Sequence, residues 1–153
     1  MEEKLKKEIL KLSIATSWER ARKEWELDKI AIYDTHMACI CGQNPIKEVC
    51  FIKNVKNGNN AIVGNCCVEK FLKLSAKIVF ASIKRINKDL YKVLNYESVM
   101  LFHSNGIIND WERDFCINMI GKRKISPKRE AIIHRINEKV LGNLEQWSKH
   151  HTK

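Results

Sequence analysis

Residues 39–68 read CICGQNPIKEVCFIKNVKNGNNAIVGNCCV. Two cysteine pairs bracket this stretch, Cys39-Ile-Cys41 followed by Gly42, and Cys66-Cys67. Between them, Ile46 to Asn54 alternates and is rich in β-branched and aromatic residues: Ile46, Val49, Phe51, Ile52. Asn57-Gly58 is a strong hairpin signal, because Gly adopts the positive φ that such turns need. Asn59 to Val63 returns as the second strand, and Gly64-Asn65 ends it. From Cys66 the apolar spacing turns helical, through Val68, Phe71, Leu72 and Leu74. The stretch therefore predicts loop, hairpin and helix.

Two thiolates on a tight turn can grip one tetrahedral ion, and the glycine lets the backbone fold around them. The second pair falls at a helix start, where thiolates are electrostatically favoured. Cys39, Cys41, Cys66 and Cys67 are the expected ligands of one structural zinc ion. Cys67 is preferred over its neighbour, since Val68 and Phe71 then fall on the packing side. Adjacent cysteines project differently, so the fourth position stays open among Cys66, His36 and Cys50. So small a hairpin has little core of its own, and its folding is expected to be coupled to the metal.

Outward from this module the chain reads as helical. Leu5, Ile9, Leu12 and Ala15 recur at helical spacing, and a second helix is expected from about Trp18 to Asp28. Residues 76–94 place Ile78, Val79, Ile83, Ile86, Leu90, Val93 and Leu94 on one side of a helix. A short helix around Glu97–His103 stops at Asn105-Gly106. Asn109 and Glu112 form a capping box for a helix presenting Trp111, Phe115 and Met119 and ending at Gly121. Ser126-Pro127 opens the last helix, with Ile132, Ile133, Ile136, Val140 and Leu144 as its apolar face. Trp18, Trp25, Phe71, Trp111, Phe115 and Trp147 are the aromatics expected to tie helices to hairpin.

The expected fold class is α+β, mainly α: a treble-clef-like zinc-bound β-hairpin plus helix, surrounded by several helices. The expected organisation is an N-terminal helical segment 1–29, a zinc-binding module 30–75, and a basic helical region 76–153, packed as one compact unit.

The 153 residues are 44% hydrophobic and 30% charged, which excludes wholesale disorder. No apolar run is long enough to cross a bilayer, and the N-terminus lacks an apolar signal core. A cytoplasmic protein is expected, and in that reducing compartment clustered cysteines point to metal before disulfides. The net charge is +10. Residues 76–153 hold fifteen Lys/Arg against eight Asp/Glu, 15 − 8 = +7. Such a surface favours nucleic acid or an acidic partner protein. Lys122, Arg123, Lys124, Lys128 and Arg129, with Arg135 further along, are the expected phosphate contacts.

Catalysis is not expected. No histidine lies between residues 42 and 75, where a treble-clef nuclease needs one. His103 and His134 stand alone in helical stretches, and Cys116 has no neighbouring base in sequence. Asp110, Glu112 and Asp114 cannot share one helix face. No small-molecule substrate is expected, and the terminal His150-His151 is assigned no role.

The same residues carry a resemblance. Cys39-Ile-Cys-Gly, Ile52-Lys-Asn, Asn57-Gly-Asn and Val63-Gly-Asn-Cys-Cys-Val-Glu-Lys-Phe71 resemble a zinc-finger-like segment of small phage and bacterial proteins of unknown function. Their pattern is a C-x-C-G knuckle, a hairpin, then a glycine-polar-x-C-V/I-x-x-F helix start, in which Cys67 matches the recurrent cysteine. Trp18 to Trp25 resembles the helix that often precedes the knuckle, and Gly106 to Ile136 a helical tail of similar proteins. The resemblance implies a treble-clef zinc module engaged in nucleic-acid transactions or in docking on a host protein, in the host cytoplasm if phage-encoded. This chain has Gln43 where many of those proteins have His, which leaves the fourth ligand open.

Overall fold

The computed structural model describes residues 2–72 and 76–151, without the side chains of 34–36, 71 and 145–151. The chain is α+β and mainly helical. Seven α-helices and one three-stranded antiparallel sheet are present among the described residues. Contacts divide it into two units, one running to Ala76 and the other spanning Lys77–Lys149.

The first unit opens with α1 (Glu2–Lys11), whose Leu5 and Ile9 are fully buried one turn apart. Each such burial stabilises by about 1.5–3 kcal/mol. Ser13 stops the helix by donating its hydroxyl to the Ile9 carbonyl, at 2.6 Å. A single helical turn, α2 (Trp18–Ala21), and a 3-10 turn, Arg22–Glu24, then lead into a strand. The expected helix from Trp18 to Asp28 is thus cut short. β1 (Trp25–Met37) takes over from Trp25 because its residues pair with a neighbouring strand. Helical spacing of Trp18, Ala21 and Trp25 was compatible with either state, and tertiary pairing decided between them.

β2 (Ile46–Asn54) lies at the centre of the sheet, between β1 and β3 (Asn60–Gly64). Cys50 faces Ile30 on one side and Val63 on the other. Asp28 is an extra residue between Leu27, opposite Ile52, and Lys29, opposite Phe51, so β1 is bulged there. The β2–β3 hairpin is the one read from sequence, extended by a third strand that was not. Its turn spans residues 55–59, with Gly58 at φ +78°. Asn57 and Asn59 each donate a side-chain N–H to the Leu12 carbonyl, at 2.9 Å, tying the turn to the end of α1. α3 (Asn65–Leu72) follows β3 directly and contacts all three strands.

A buried carboxylate joins these parts. Glu24 is 1% exposed and accepts from the Ile14 and Ala15 backbone and from Asn54 Nδ2, at 2.8–2.9 Å. Those bonds hold its pKa below the ordinary 4.5, with the Asn54 bond the largest cause. Trp25 is buried beside this node, and its Nε1 donates to Ser13 Oγ at 2.8 Å. Trp18 is half-buried under the Lys6 ammonium.

The second unit contains most of α4 (Ala76–Lys88) and α7 (Pro127–His151), and all of α5 (Tyr96–Ser104) and α6 (Asp110–Met119). The expected helix over 76–94 stops at Lys88. Residues 89–95 form a loop instead, whose Leu90 and Lys92 carbonyls accept from the buried Asn137 amide. Asn95 caps α5 by accepting from Ser98 N. The Asn109–Glu112 capping box forms at 2.8 and 2.9 Å. Phe80, Ile83, Ile86, Val99, Phe102, Ile133, Ile136 and Val140 are buried.

One helix face differs from the expected one. α6 buries Glu112, Cys116 and Met119, and Trp111 stands 56% exposed. Glu112 can go inward because the Asn109 N–H and the Lys139 ammonium both donate to it. The expectation that Trp111 ties this helix to the rest of the protein is therefore corrected, because its ring is mostly exposed. The side chains of Phe71 and Trp147 lie outside the described residues.

Candidate metal centre

The sulfurs of Cys39, Cys41 and Cys67 lie within 4.8 Å of one another, and all three residues are buried. Tetrahedral thiolates around one zinc sit about 3.8 Å apart, from a metal–sulfur distance of about 2.3 Å. The three are therefore placed so that they can hold one metal ion. All are free thiols.

Local backbone makes the site. Gly42, at φ +99°, closes a turn in which its N–H donates to the Cys39 carbonyl and the Cys39 N–H donates to the Gln43 carbonyl, both at 2.9 Å. Ile40 N–H donates to the Ile62 carbonyl, which fastens the turn to β3. α3 begins immediately after β3 and carries Cys67 to the same point. Backbone N–H groups are aimed at the sulfurs. Cys41 N–H reaches Cys39 Sγ at 3.5 Å, Gly64 N–H also donates to Cys39, and Gln43 N–H donates to Cys41. Such donors favour the thiolate form.

The titration of the cluster is split between its members. Burial raises the Cys39 and Cys67 thiols, and neighbouring sulfurs raise Cys67 further. Burial also opposes ionisation of Cys41, but the Gln43 N–H and the two neighbouring thiols outweigh it and lower its pKa. One thiolate is thus favoured, and it discourages the other two. A divalent cation removes that mutual repulsion.

Cys66 does not join the cluster. It is exposed, one residue ahead of Cys67 on the first turn of α3, so helical geometry sends its sulfur elsewhere. The expectation that Cys66 is a ligand is not met by this placement. Cys50 is fully buried on β2, and burial with the nearby Glu48 and Cys39 charges pushes its thiol up to about 12. It too stands outside the group of three. The His36 side chain lies outside the described residues. Sequence reading missed the Gly64 N–H donor, because backbone groups leave no mark in residue type.

Lys122, Arg123 and Lys124 lie in the exposed loop between α6 and α7. Lys128 and Arg129 occupy the first turn of α7 and Arg135 lies two turns on, all exposed. His103 accompanies Asp110 at 2.7 Å, and His134 accompanies Glu138 at 2.7 Å. Cys116 is buried, its thiol pushed up to about 12 by that burial and by Glu112. No helix among the described residues is long and apolar enough to cross a membrane. Comparison with family models, with curated proteins and with solved structures finds no match to this chain.

Proposed function

We propose that this chain is a non-catalytic, zinc-stabilised binding protein that acts on nucleic acid through the basic surface of its helical unit. Zinc suits the site, because three buried thiolates are soft donors and zinc accepts them in tetrahedral geometry. Cys39, Cys41 and Cys67 hold it, with the fourth position taken by Cys50, His36 or an external ligand. Its role is structural, joining the Cys39–Gly42 turn to α3. The turn, the β2–β3 hairpin and the helical cysteine follow one another in treble-clef order, in keeping with the resemblance to phage and bacterial zinc-finger-like proteins. The corresponding compartment is the cytoplasm, that of the host if the protein is phage-encoded.

One observation carries the nucleic-acid reading. Lys122, Arg123, Lys124, Lys128 and Arg129 are all exposed, and none has an ion-pair partner among the described residues. Lys128 and Arg129 outnumber Glu130 in the first turn of α7, so the positive end of the helix carries net positive side-chain charge, an arrangement unfavourable for the free helix. An incoming phosphate offsets both costs, since helix N-termini and guanidinium groups favour it. A mobility-shift titration at two salt concentrations tests the reading. Binding at low salt that weakens steeply with added salt is expected, and absence of binding at low salt contradicts it.

A further inference from the structure

We infer that α6 and the basic loop after it form a surface for single-stranded nucleic acid, with Trp111 as a platform on which a base stacks. The inference rests on the nucleic-acid reading above and narrows it to unpaired strands.

Trp111 is more than half exposed, unusual for a side chain with so much apolar surface to hide. It stacks on Phe115, with ring centroids 5.3 Å apart and planes 13° from parallel. Phe115 is half-buried, so the helix body anchors the inner ring of the pair. One face of the indole is covered by Phe115, and much of the remaining ring surface is open to solvent. Offset-parallel rings with one member open can accept a further ring, and every nucleobase has such a face. In a duplex those faces are stacked internally and out of reach.

Charge completes the argument. Trp111 and Met119 are eight residues apart, about 12 Å along the helix axis. Lys122, Arg123 and Lys124 follow directly after the helix, and Lys128 and Arg129 open the next one. A strand that stacks at Trp111 and runs along α6 brings its phosphates to this loop. The acids beside Trp111 are themselves engaged. Asp110 is paired with His103 at 2.7 Å and lies 3.8 Å from Arg113, and Asp114 accepts from Arg113 Nε at 3.0 Å. The Arg113 guanidinium thereby offsets part of their charge before a phosphate arrives.

The test uses the full chain and labelled oligonucleotides of mixed sequence, as DNA and as RNA, single-stranded and as matching duplexes. The wild type is expected to prefer a single strand. Trp111→Ala is expected to weaken that binding about tenfold and leave duplex binding unchanged. Trp111→Phe, which keeps a ring, is expected to lose less. Replacing Lys122, Arg123 and Lys124 together by Ala is expected to weaken both forms and reduce the single-strand salt slope by about 2. Trp111 is exposed, and an unchanged circular dichroism spectrum in all three variants shows that folding is not the cause. Equal single-strand binding by wild type and Trp111→Ala overturns the stacking inference while leaving the broader reading intact, as does equal affinity for duplex. Failure of the wild type to bind any of these oligonucleotides removes both. Loss of a nuclease-resistant protein partner in Trp111→Ala, with nucleic-acid binding unaltered, makes the surface a protein-docking one and also overturns the inference.

Discussion

The two units of this chain are held together by different means. In the first, a turn at Cys39–Gly42 and the start of α3 converge through three sulfurs, around a short sheet. In the second, helices are stopped and started by their own side chains. Asn95 caps α5, the Asn109–Glu112 box caps α6, and Asn137 ties down the loop after α4. Large apolar side chains such as Phe80 and Phe102 are fully buried there. Both units bury large apolar side chains, Leu5, Ile9 and Ile52 in the first as fully as Phe80 and Phe102 in the second. The lesson is that, on the proposed reading, the first unit adds an ion to its apolar core, while the second adds helix caps.

Removing a sulfur should expose this difference most sharply. Cys67→Ser, or chelation of the wild type, is expected to abolish tight zinc binding, worth about 10–16 kcal/mol in small zinc modules. Hydrogen exchange should then speed up in β2, β3 and α3 far more than in α6. Cys66→Ser should leave the zinc content unchanged, and a loss comparable to Cys67→Ser would make Cys66 a ligand after all. In the helical unit, Phe102→Ala should cost about 3–5 kcal/mol in chemical denaturation with zinc content unaltered. A fall in metal stoichiometry there would break the contrast between units.

A pH titration sharpens the comparison within the first unit. Glu24 has a folded pKa below its ordinary value, so its stabilisation is complete above about pH 4.5 and is lost as pH falls through the folded pKa. Glu24→Gln should therefore be less stable than wild type at neutral pH and lose less on acidification below that point, read by denaturation at several pH values. Parallel curves for the two proteins would contradict it. The smallest effect is expected at a cap. Asn109→Ala should cost about 1 kcal/mol, measured by thermal or chemical unfolding.

Much of this architecture was readable in the residues. Asn57-Gly58 announced the hairpin, Asn109 with Glu112 announced α6, and Ser126-Pro127 announced α7, because each uses local chemistry that depends little on distant parts of the chain. The start of β1 was misread as helix, since Trp18, Ala21 and Trp25 fall at helical spacing and Trp25 to Asp28 becomes a strand by pairing with β2. The outward face of α6 was not readable either. Trp111, Phe115 and Met119 look like a buried stripe, and only the partners of Glu112 show why the inward stripe starts one residue later. Of the metal site, Cys39, Cys41 and Cys67 converge as their spacing suggested, and Cys66 does not because consecutive helical side chains diverge.

Metal analysis of untagged protein, purified without chelator and weighed intact by native mass spectrometry, bears most directly on this picture. One zinc per chain, lost in Cys67→Ser and retained in Cys66→Ser, is the predicted result. A folded wild-type chain carrying no metal, and unchanged in stability when zinc is added, would contradict it.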